Sequence, residues 1–198
     1  MAIPESADAN IIDVEAVNWR LIVYPIVLAI ALLLGGFGYY YYQLEQRNET
    51  EAQARDLLVE AKTPEQFIKV ADRFPHTDQA TLALLSSAQA SFDQKAYPDA
   101  IKSYQRVIDA ADADATLRDS AQIGIASALE ATGKIDDAIK AYLTVARRGK
   151  DTSYAPFAYS AAARLYEQKG DKENQRLTLI SLAGLGGDSP FVKEAGQK

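Results

Sequence analysis

QIGIASALEATGKIDDAIKAYLTVA, residues 122–146, reads as two short helices joined by a glycine turn. Small and apolar residues recur every three or four positions on both sides of Thr132-Gly133, which is the helical period. Gly133 is the natural stop of the first helix, and Asp136 and Asp137 suit the positive end of the second. Ala126 sits in the middle of the first helix, and Ala138 and Tyr142 lie one turn apart on the second. The same design stands on either side, in LLSSAQASFDQKAYPDAIKSYQRVI at 84–108 and YSAAARLYEQKGDKENQRLTLISLA at 159–183. Ala88, Ala126 and Ala163 fall in register. Ala100 matches Ala138 at a distance of 38 residues, and Ala138 matches Gln175 at 37. Self-similarity at such a period means stacked helical units, each too small to bury its apolar face alone.

These units resemble tetratricopeptide repeats. The resemblance rests on the small residues Ala88, Ala126 and Ala163, the turn glycines Gly133 and Gly170, and the pairs Ala100 with Tyr104 and Ala138 with Tyr142. It implies an all-α fold, a right-handed solenoid of helical hairpins in which small residues let paired helices approach and tyrosines fill the space between hairpins. There are departures. Lys95 stands at the first turn in place of glycine, and Gln175 and Leu179 replace Ala and Tyr in the third unit. Links such as DAADADATLRD stretch the period beyond the usual value of about 34. The third unit is therefore expected to be a degenerate, capping repeat.

Upstream, LIVYPIVLAIALLLGGFGYYYYQL at 21–44 contains no charged residue. At about 1.5 Å per residue this run makes a helix of roughly 36 Å, enough to cross a hydrocarbon core of about 30 Å. Trp19 and Arg20 at one end and Tyr39, Tyr40, Tyr41 and Tyr42 at the other are suited to the two interfaces. Pro25 is expected in the first turns of the span, where a missing N–H matters least. Gly35, Gly36 and Gly38 allow close contact with another helix. Residues 1–20 hold Glu5, Asp8, Asp13 and Glu15 against Arg20, and GGFGYYYY lacks a small-residue cleavage pattern, so an anchor is expected and a signal peptide is not. The expected organisation is an acidic tail at 1–20, a transmembrane helix at 21–44 and a repeat domain at 45–198, with units near 45–74, 78–110, 116–148 and 153–184. Within the first of these, Thr63-Pro64-Glu65-Gln66 reads as a helix start with a reciprocal cap, and Pro75 closes that helix.

Composition removes several classes of function. The 198-residue chain carries a net charge of −6, which disfavours nucleic acid. It has no cysteine and a single histidine, His76, so disulfides, thiol catalysis and two-histidine metal sites have no material. Gly133-Lys134 lacks the spacing and the following Ser or Thr of a phosphate loop. Gly184, Gly186 and Gly187 follow a helix and no strand, and read as a helix stop. Asp112 and Asp114 lie in a link, and Arg147-Arg148 suits the negative pole of a helix end. No catalytic residue, cofactor or metal is expected, and the protein is read as a binding protein and not as an enzyme.

In tetratricopeptide proteins the first helix of each hairpin lines a groove for protein partners. That resemblance assigns the groove to Leu82, Leu85, Gln89, Phe92 and Asp93, then Ser120, Ile123, Ser127, Glu130 and Ala131, then Phe157, Ser160, Arg164, Glu167 and Gln168. Gln89, Ser127 and Arg164 do not supply the Lys and Asn set that clamps a C-terminal carboxylate. The partner expected is an extended or helical protein segment, and the chain's own tail, SPFVKEAGQK at 189–198, is a competing occupant. Glu at Leu85 or Phe92 is expected to weaken capture and leave helicity intact. The whole layout resembles the ancillary subunit family of the bacterial Sec translocon. This implies the inner (plasma) membrane, a periplasmic repeat domain, and translocon or chaperone subunits as partners. The repeats would look the same in a scaffold for outer-membrane assembly or cell division. The basic residues Arg47, Arg55 and Lys62 after the span, against Arg20 before it, favour a cytoplasm-facing adaptor instead. The sequence leaves the oligomeric state open.

Overall fold

The computed structural model describes residues 19–110, 114–186 and 190–195. Nine helices follow in order among them: α1 (Trp19–Glu60), α2 (Pro64–Arg73), α3 (Asp78–Asp93), α4 (Tyr97–Asp109), α5 (Ala115–Ala131), α6 (Ile135–Ala146), α7 (Ala155–Gln168), α8 (Lys172–Gly184) and α9 (Pro190–Ala195). The described residues include no strand. Contacts divide the chain into two units, Met1–Asn48 and Glu49–Lys198.

In the first unit every side chain from Trp19 to Asn48 is exposed. Its most apolar stretch has a mean hydropathy of 2.4 and is long enough to cross a membrane. Leu, Ile, Val and Phe are exposed on all of its faces, the distribution that suits a helix surrounded by lipid. Phe37 packs on Tyr41 at 4.5 Å, and Gln43 donates to the Tyr39 hydroxyl at 2.7 Å. Pro25 lies in the first turns of α1, as expected, but the N–H it lacks is not one that a helix start would leave unpaired. Helix already runs from Trp19, so Pro25 lies beyond the first turn, and its missing N–H leaves the Leu21 carbonyl without its helical donor.

In the second unit each helix from α2 to α8 packs on the next, and α3 also meets α5. Local chemistry sets the helix ends. Thr63 and Gln66 form the expected capping box of α2, with Pro64 in its first turn. Thr77 caps α3, Asp114 caps α5 and Asp171 caps α8. Asp171 is held below the usual carboxylate range by hydrogen bonds from the Asn174 side chain and backbone. The three hairpin turns are copies of one another. The N–H groups of Ala96, Lys134 and Asp171 reach back five residues to the carbonyls of Ser91, Leu129 and Tyr166, each at 2.9 Å. This closure needs a left-handed residue one place earlier. Gly133 and Gly170 supply it at φ 76°, and Lys95 adopts φ 61° despite its Cβ.

The seams inside the hairpins are built from small residues. Ala88 faces the α3–α4 core with Ala100, and Ala126 shares a cluster with Ala138; all four are fully buried. Ser87 and Ser103 add a buried hydrogen bond of 3.3 Å across α3 and α4. Between hairpins, the Tyr104 ring of α4 presses onto Gly124 of α5, so closely that a Cβ there would lie 2.3 Å from the ring. Asp72–Arg106, Glu130–Arg164 and Asp136–Lys169 tie neighbouring units at separations of 34, 34 and 33 residues. Such exposed pairs set register more than stability. Arg148 does more than neutralise a helix end, since it reaches Asp119, only 5% exposed on α5.

Two substitutions test these seams. Lys95→Gly relieves the left-handed strain against a larger unfolded-state entropy, and should raise stability by about 0.5 kcal/mol in thermal melts followed by circular dichroism. Gly124→Ala should destabilise by about 1 kcal/mol, because overpacking against Tyr104 outweighs the gain in helix propensity. In a Tyr104→Leu background the same change should become stabilising. Destabilisation of similar size in both backgrounds would refute the ring–glycine contact as its cause.

Candidate functional site

The candidate surface is one face of α3, α5 and α7, and the structure sorts its residues into three kinds. Leu82 and Phe157 are open, 45% and 38% exposed. Leu85, Phe92 and Ile123 are half-buried and packed against the hydrophobic clusters, with the Phe92 ring edge-on to Tyr97 at 5.3 Å. The expectation that Glu at Leu85 or Phe92 would spare the fold is therefore corrected. A charge there would be driven into packed apolar surface. Leu82 is the substitution that probes the face without opening the core.

The polar residues form a third group, engaged with the structural tyrosines. The Tyr104 hydroxyl donates to Gln89 Oε1 at 3.4 Å, and Gln89 Nε2 donates to Asp93 at 2.9 Å. One hairpin later, Tyr142 sits 3.0 Å from the Ser127 hydroxyl and donates to Glu130 Oε2 at 3.2 Å. Arg164 of α7 donates to the same carboxylate oxygen at 2.8 Å. Gln89, Ser127 and Glu130 thus satisfy the phenol groups of a packed interior while lining the candidate face, and Arg164 pairs with Glu130. Hydrogen bonding to Glu130 raises the pKa of Arg164, and its charge is already partnered. Ser120 and Ser160 are half-buried, whereas Ala131, Glu167 and Gln168 are exposed. Residue type alone does not reveal the Glu130–Arg164 link. The signal that points to it is register: Arg164 stands at the position of Ser127, one helical turn before that of Glu130, on the next first helix.

Phe157 has a neighbour from the chain itself. Its ring lies 6.2 Å from Tyr142 and 5.9 Å from Phe191 of α9, both edge-on. Val192 is buried against Leu182 with Tyr159, Leu179 and Leu185 around it. Ser189 and the end of the tail lie outside the described residues, as do Asp112 and Gly187. His76 stands in left-handed backbone at φ 66° and lines an open cleft of about 380 Å³ with Ala71, Leu84 and Arg106. Among the described residues no three His, Cys, Asp or Glu side chains converge as a metal site would need.

Stacked hairpins with an open face on their first helices define a helical-repeat interaction protein. Residues 16–147 match the family model for the tetratricopeptide repeat-like domain, and the chain belongs to that family. No curated protein matches the sequence. The match begins ahead of the apolar helix and ends at Arg147, after the second full hairpin. Domains of this kind mediate protein–protein interactions, and they are typically non-catalytic scaffolds.

Burial raises the pKa of Tyr104 and Tyr142 above the ordinary value of 10.0. The neutral phenol is the form that the fold holds. Its contribution is complete below pH 10 and is lost as pH climbs through the raised folded values. In an alkaline spectrophotometric titration these two of the eleven tyrosines should ionise late, together with loss of helix. The double change to Phe should remove that late component. An unaltered late phase would refute the assignment.

Proposed function

We propose that the protein is a membrane-tethered adaptor that assists protein translocation, passing segments between the Sec translocon and periplasmic chaperones. In this reading α1 anchors the chain in the bacterial inner membrane, and the repeats lie in the periplasm. The observation that carries the reading is the joining of two features in one short chain. A helix apolar enough to span a membrane precedes a tetratricopeptide repeat-like domain, and one family match runs across both.

The chemistry of the face suits protein cargo. Leu82 and Phe157 offer apolar footholds, and Gln89, Ser127 and Glu130 add side-chain donors and acceptors. An extended or helical segment can use both kinds of contact. Arg164 is committed to Glu130, so a carboxylate would have to displace an existing ion pair.

Topology and partner are tested together. Ser153→Cys places one thiol in a chain with none, at an exposed position before α7. A membrane-impermeant thiol reagent, added to cells with a permeabilised outer envelope, should label it. Protection until the inner membrane is lysed would sink the periplasmic placement and favour a cytoplasm-facing adaptor. Translocon subunits should co-purify with the chain, and Leu82→Glu should lower that recovery by about tenfold, as loss of one apolar anchor would. Recovery of outer-membrane assembly or division proteins in their place would assign the chain to another envelope scaffold.

A further inference from the structure

The end of the array shows the chemistry of a bound segment. Helix α9 lays Phe191 against Phe157, which in turn meets Tyr142, and buries Val192 beside Tyr159 and Leu182. Phe157 stands at the same register position as the open Leu82 of the first hairpin, so α9 covers an equivalent part of the face. The contact is slight. Val192 is 9% exposed, but Phe191 remains 36% exposed and Pro190 and Lys193 face solvent. A helix of six residues does not persist by its own backbone bonds, so α9 is helical because it is docked.

We propose that the Tyr142–Phe157 aromatic pair and the adjoining Leu182 pocket are a docking seat for a partner helix bearing an aromatic residue followed by a β-branched one, and that α9 is an internal occupant which such a helix displaces. The proposal deepens the adaptor reading and rests on it. Edge-on aromatic geometry favours a ring at the first position beyond what area alone gives. The pocket taken by Val192 favours a compact aliphatic group at the second. The internal segment acts at a high effective concentration through its short link to α8, so an outside helix meets a weakened apparent affinity until α9 leaves. At this end of the array, α9 gives way to a segment that makes more contacts than it does.

The test uses the full chain in detergent with fluorinated phenylalanine at its six positions. The Phe157 resonance is assigned by Phe157→Leu. The probe is the synthetic peptide SPFVKEAGQK, with a control in which its Phe and Val are Ala. In the Phe191→Ala/Val192→Ala chain the peptide should move the Phe157 signal at about tenfold lower concentration than in the parent, and the control should not. Equal insensitivity in both chains would overturn the proposal. So would loss of α7–α8 helicity in the double variant, which would make α9 a fixed cap. Hydrogen exchange in the unaltered chain decides without any substitution. Amides of α9 should exchange much faster than those of α7, and equal protection would count as refutation. Failure here leaves the adaptor reading standing if Leu82→Glu still loses translocon subunits. Failure of that capture, with α9 exchange observed, leaves a seat whose partner lies elsewhere.

Discussion

The structure depends on the contact between a tyrosine of one hairpin and the first helix of the next. A pair of helices with one apolar stripe each cannot exclude water from both sides. The Tyr104 ring closes that gap by resting on Gly124, where the absence of a side chain lets it lie close to the helix. Tyr142 repeats the arrangement against α7, where it meets Phe157. Small residues inside each hairpin and large rings between hairpins are one solution to one problem. The backbones approach where nothing projects, and the remaining space is filled by a side chain of the right size.

A tyrosine used in this way brings its hydroxyl with it, and a buried hydroxyl needs partners. Gln89, Ser127 and Glu130 provide them from the face that would meet a ligand. The polar character of that face is therefore partly a consequence of how the hairpins pack. This couples binding to stability. Changing Glu130 would remove a contact for a partner, a hydrogen bond to Tyr142 and the charge that holds Arg164. Leu82, by contrast, faces solvent and belongs to no such network.

The third hairpin departs where an array must end. Leu179 takes the place of the tyrosine, so α8 has no ring to offer a further unit, and Leu177 and Ile180 stand exposed. Leu179 and Leu182 instead join Val192 in a small cluster of their own. The change of one residue type explains both the absence of a further tyrosine contact and the place where α9 docks.

Much of this was legible in the residues. The helical period, the repeat spacing, the capping box at Thr63 and the glycine turns are local features, and backbone chemistry decides them within a few positions. Lys95 was visible as a departure, but that its backbone adopts the left-handed form needed the structure, because surrounding contacts must hold it there. The candidate face was readable only as a register. The sequence could place Leu82, Leu85 and Phe92 on the same side of α3, yet whether each is open or packed depends on neighbours far along the chain. By itself, then, the sequence determined that the chain carries an apolar helix followed by stacked helical hairpins, since periodicity and caps act through near neighbours. Only the tertiary structure decided that Glu130 joins Tyr142 to Arg164, that Asp119 is buried beside Arg148, and that Phe191 returns to cover Phe157. Those contacts join residues that sequence order keeps 12 to 34 positions apart, and packing alone brings them together.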